Sequence, residues 1–100
     1  MMDTVSEFNV AGAPTVRFRI TNEASSGEWN LFIEPLAVEF SVEHDGVRVI
    51  EYVRTDRIAV TDDLDIQFLG PDNVVVWLPR TGQFRVLNTL NTVLFEIGDL

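Results

Sequence analysis

His44 is the only histidine in the chain, and with Ser41 and Asp45 close by it supplies the residue types of a nucleophile, a base and an acid. Such a triad needs the base held between the other two. Asp45 belongs instead to a tight Asp-Gly turn, and Ser41 lies on a strand with no reason to point at the imidazole. The expectation is an exposed turn histidine. Asp62, Asp63 and Asp65 offer the oxygen ligands that calcium and magnesium take. The spaced acids, central glycine and closing glutamate of an EF-hand are missing, and Asp-Asp is ordinary turn chemistry, so a structural turn is expected. A single histidine also cannot form the histidine cluster of a cupin-type metal centre.

Paired carboxylates roughly 5–9.5 Å apart do the acid and base work of glycosidases, but sixteen acidic residues in 100 create such pairs by chance. Glu34 and Glu51 stand out because each interrupts an apolar stretch. The plainer expectation is that Glu34 caps a corner and that Glu51 is solvated. No residue is therefore assigned to catalysis, to a cofactor or to a metal, and the chain is read as a non-enzyme.

Binding chemistry leaves two candidate surfaces. Arg17 and Arg19 project from one face of one strand, and Arg85 joins them if its strand is a neighbour. Such a patch either holds an anion or an acidic partner, or balances Glu28, Glu39 or Glu43 across a sheet; balance is the favoured reading. The second candidate is apolar. Val75 and Trp77 alternate with Val74, Val76 and Leu78 and so face the opposite side of their strand, where an uncovered apolar face invites a partner. Trp29, Phe32, Tyr52 and Trp77 are the large aromatics that would mark an interface where they surface, although core is their usual fate.

The elements that position these residues follow from composition and periodicity. One hundred residues, 46% of them apolar, suit one core, and at this size a domain buries roughly two-thirds of the surface its unfolded chain exposes. Residues 1–100 are read as one domain. Without cysteine there is no disulfide framework and no thiolate chemistry. No basic-then-apolar leader opens the chain, and no run approaches the ~20 apolar residues of a membrane span. A soluble, cytoplasmic protein is expected. The formal charge is −9 and every basic residue is arginine. Codon bias in a GC-rich genome accounts for that, with a salt-adapted proteome as the alternative. Nucleic acid is not an expected partner, because binding it rests on cationic neutralisation of phosphates.

Across residues 16–97 apolar and polar residues alternate with a period of two, as half-buried strands require. Strands are expected at Thr15–Thr21, at 28–33 and 37–43 on either side of Pro35, and, beyond His44-Asp45-Gly46, at 57–61, 64–69, 73–78 and 83–87. Proline donates no ladder hydrogen bond, so Glu34-Pro35 is a corner where the chain changes direction or sheet. The loop after Thr21 looks polar and without an apolar anchor. Asp45-Gly46 is the best hairpin signal. A two-residue loop sets Glu43 opposite Arg48 and buries Glu51, whereas a three-residue loop sets Phe40 opposite Ile50 and exposes Val49 and Val53, so the register stays open. The tail at 92–97 has some helical spacing but β-branched composition, and a strand is favoured. Eight or nine short strands imply an all-β fold, an antiparallel β-sandwich or a flattened barrel.

Val16-Arg17-Phe18-Arg19-Ile20-Thr21-Asn22-Glu23, Leu31-Phe32-Ile33-Glu34-Pro35-Leu36, Phe40-Ser41-Val42 and Gln83-Phe84-Arg85-Val86 together resemble small bacterial all-β proteins with an L-x-x-E-P corner between strands. The resemblance implies a fold and no activity. The function that fits is a protein-interaction module, pairing with itself or with another protein through an apolar sheet face or an open edge. A small-ligand-binding β-barrel is the alternative, and an acidic inhibitor or nucleic-acid mimic comes third.

Overall fold

A computed structural model of the protein describes residues 8–9, 12–23, 27–54, 64–79 and 83–97. They form eight strands: β1 (Thr15–Thr21), β2 (Trp29–Glu34), β3 (Val38–Val42), β4 (Val47–Val53), β5 (Asp65–Leu69), β6 (Asn73–Trp77), β7 (Phe84–Leu87) and β8 (Val93–Ile97). The expected strand at 57–61 lies outside the described residues.

The strands divide into two four-stranded sheets, ordered β1-β4-β7-β8 and β3-β2-β6-β5. The fold is all-β and a sandwich. The flattened barrel is not formed: among the described residues neither sheet closes, and β1, β8, β3 and β5 stand at edges. All pairs are antiparallel except β2 with β6, which run parallel.

Alternation puts one face of each sheet into the core. From the first sheet come Ile20, Ile50, Tyr52, Phe84 and Val86; from the second come Leu31, Ile33, Val42, Val74 and Val76, with Leu78 just beyond β6. Phe95 on β8 bridges the layers, meeting Phe84 at 5.6 Å and Phe40 of β3 at 6.1 Å between ring centroids. Tyr52 lies within this core, and burial pushes its phenol above the usual tyrosine range, against the opposing pull of Arg54.

The sharpest departure from the expected topology is at His44-Asp45-Gly46. This turn does not close a hairpin. It carries the chain from β3 in the second sheet to β4 in the first, and neither of the two expected registers exists, because β4 pairs with β1 and β7 instead. Asp45 supplies the left-handed backbone, with φ of 59°. Gly46 is needed for a different reason: a Cβ there would stand 2.6 Å from the Glu43 side-chain Cδ and 2.7 Å from its carbonyl oxygen. At Pro35 the chain reverses within one sheet, β2 pairing directly with β3, so that corner changes direction and not layer.

Two polar side chains tie the layers together at this end. Asn22, fully buried, donates from Nδ2 to the carbonyls of Val42 at 3.0 Å and Gly27 at 3.1 Å. Its backbone N–H donates to Gly46 O, and its carbonyl accepts from the Asp45 N–H. The loop read as lacking an apolar anchor is anchored by a polar one. Arg48 stands opposite Ile20 in the register and therefore on the inner face, at the end of the core. Its guanidinium reaches across the layers to the Ser41 carbonyl at 2.9 Å and the Glu43 carboxylate at 3.0 Å. The backbone N–H of Glu43 first, and then Arg48, hold that exposed carboxyl below the usual glutamate range.

Candidate interaction surface

The arginine candidates lie on the outer face of the first sheet. There the register aligns Arg17 of β1, Glu51 of β4, Arg85 of β7 and Glu96 of β8 in one row across all four strands. Arg85 donates to Glu51 Oε1 from Nε at 2.8 Å and from Nη2 at 2.7 Å. Arg17 Nη1 stands 3.9 Å from Oε2, and its Nη2 donates to Asn91 Oδ1 at 2.6 Å. Charges alternating across neighbouring strands stabilise a sheet as apolar cross-strand pairs do. Arg19 falls in the next row, with Val49 and Leu87, and forms no ion pair among the described residues.

Glu51 is 8% exposed, which corrects the expectation that it is solvated. The balancing acid for Arg17 and Arg85 is Glu51 and none of Glu28, Glu39 or Glu43. Burial on an outer face comes from what lies over it. Phe8, itself buried, sits under the Arg85 guanidinium at 4.5 Å, and Asn9 ties this segment down by donating its backbone N–H to Gln83 Oε1. A carboxylate so enclosed depends on its arginines. Glu51→Ala is expected to lower the unfolding free energy by ~1.5–3 kcal/mol, the range for hydrogen bonds to charged groups, in urea titrations. Because the Arg17 contact is long and half exposed, it adds little. Arg85→Ala should cost a similar amount, and the double variant less than the sum. Strict additivity would mean that the two side chains do not act together.

The apolar candidates lie on the outer face of the second sheet. Trp77 is 42% exposed and Val75 only 8%, so of the two it is Trp77 that surfaces. The register sets Trp77 between Glu34 of β2 and Asp65 of β5, and Val75 between Phe32 and Gln67. Of the other large aromatics, Tyr52 is buried, whereas Trp29 and Phe32 are half-buried.

A further exposed surface was not foreseen. Ile66 and Phe68 pair with Val76 and Val74 and so project from the core-facing side of the second sheet, yet they are 36% and 66% exposed. All five residues of β5 are exposed, and among the described residues no strand pairs on its far side. Trp29, partly packed on the core, meets Phe68 edge to face at 6.1 Å. Its indole Nε1 is buried without a hydrogen-bond partner. The alternation of 65–69 reads correctly as a strand, but alternation cannot say whether an opposing layer reaches it.

Comparison with protein-family models, with curated proteins and with solved structures finds no match to this chain. Its own chemistry therefore carries the functional reading. No group of three or more metal-ligating side chains occurs among the described residues; Asp65 is described, while Asp62 and Asp63 are not. His44 is exposed in its turn, with Nε2 3.2 Å from Asp45 Oδ2. No helix among the described residues is long and apolar enough to cross a membrane.

Proposed function

We propose that this chain is a non-enzymatic interaction module that associates with a second copy of itself or with another protein through apolar surface on its second sheet. The reading is carried by the edge at β5: Ile66 and Phe68 on its core-facing side are 36% and 66% exposed, and Leu69 on the opposite side is 54% exposed. Exposed apolar surface concentrated in one place marks an interaction site more often than scattered single residues do. The alternative, a ligand held in a barrel mouth, draws no support from two open sheets. An acidic mimic would need its carboxylates gathered on one face, whereas the sixteen acids are spread along the whole chain. We place the module in the cytoplasm.

Sedimentation equilibrium across a concentration series, at low and high salt, tests self-association. The expected result is reversible dimerisation that strengthens with salt, because a formal charge of −9 makes copies repel until it is screened, while apolar contact is not weakened. A strict monomer at every concentration and both salts would overturn self-association.

A further inference from the structure

Resting on that reading, we infer that the occupant of the β5 edge is the β5 strand of a second copy, paired antiparallel about a two-fold axis through Gln67. The outer face of the second sheet is the poorer self-contact. Trp77 is flanked there by Glu34 and Asp65, with Glu39 beside Phe32, so two copies stacked face to face would gather carboxylates in the same contact.

Among the described residues no strand pairs on the far side of β5, and this edge has no such conflict. Its five residues, Asp65-Ile66-Gln67-Phe68-Leu69, carry one charge, at the end. Two-fold pairing about Gln67 sets Asp65 against the partner's Leu69 and Ile66 against the partner's Phe68, and brings the two Gln67 amides together, where they can hydrogen-bond to each other. No like charges are directly opposed. The pairing extends two four-stranded sheets into one of eight strands and places four apolar side chains, the two Ile66 and the two Phe68, side by side on the face the first sheet leaves uncovered. The other edges offer less. Arginines stud β1, the inward residues of β3 are already packed on the core, and β8, although it exposes Val93 and Leu94, is irregular where it pairs with β7; charges and bulges are the usual ways an edge is kept from pairing.

The chain has no cysteine, so introduced ones report cleanly. Facing residues of an antiparallel pair have Cα atoms ~4.5–5.5 Å apart, within disulfide range. Gln67→Cys is expected to form a covalent dimer under mild oxidation. Asp65→Cys alone should not, since its symmetry mate lies four residues along the strand, on the order of 13 Å away. An equimolar mixture of Asp65→Cys and Leu69→Cys should cross-link. In sedimentation, Phe68→Glu, which by the two-fold symmetry removes both aromatic contacts, should weaken the dimer by at least ~100-fold, with an unchanged circular dichroism spectrum. If wild type dimerises but Gln67→Cys does not cross-link and Phe68→Glu dimerises normally, the edge pairing is wrong while self-association stands. If wild type is monomeric throughout, both fall.

Discussion

Phe84→Ala is expected to lower the unfolding free energy by ~3–5 kcal/mol, the range for deleting a buried aromatic ring. Phe84 is fully buried on β7, an interior strand of the first sheet. It lies opposite Tyr52 on one side and Ile97 on the other and packs on Phe95 at 5.6 Å between centroids. Removing the ring leaves a cavity walled on both sides by paired strands, which cannot collapse without breaking register. A domain of this size typically has only ~5–15 kcal/mol of stability, and each kcal/mol is worth roughly 4–8 °C of Tm. A melt followed by circular dichroism should therefore fall by more than about 12 °C. A fall under about 5 °C would mean that the core closes over the gap. Phe95, half-buried at the edge strand β8, should cost less on the same substitution.

The second large effect is expected at Asn22. Asn22→Leu keeps the branched heavy-atom outline of the side chain, in a larger volume, and removes both side-chain donors, leaving the Val42 and Gly27 carbonyls without them. An unsatisfied buried polar group costs about 1–3 kcal/mol, so the loss should reach ~2–4 kcal/mol in a urea titration. Asn22→Ala should be at least as damaging. Were the leucine variant as stable as wild type, packing and not hydrogen bonding would be what holds the two crossing loops. The position matters out of proportion to its size because the loop from β1 to β2 and the turn from β3 to β4 both change sheets here, and neither has a ladder of its own to hold it.

These two residues mark where local reading succeeds and where it stops. Phe84 was legible as a core candidate because Phe84 and Val86 alternate with Arg85, a pattern that depends only on neighbours two apart. The same alternation located β1 at Thr15–Thr21, and β-branched composition favoured a strand at 92–97, where β8 spans Val93–Ile97. Asn22 was not legible: a lone Asn in a polar stretch carries no periodic signal, and its acceptors lie 5 and 20 residues away. Glu51 failed for a related reason. Its environment is made by Arg85, 34 residues away, and by Phe8 lying under that arginine. Asp45-Gly46 specifies a tight turn, and a turn of that kind forms equally well whether the strands it joins pair with each other or part into different sheets.

What the sequence by itself determined is the all-β class, the approximate span of most strands and the two faces of each, because side-chain direction in a strand follows from backbone pleat alone. Tertiary structure decided which strands share a sheet, which outer faces are covered and which edge is left open. Those outcomes depend on contacts between residues far apart in the chain. Ile66-Gln67-Phe68 has the same alternation as a covered strand, yet Phe68 is two-thirds exposed, because what lies opposite a strand is set by residues far away in the chain.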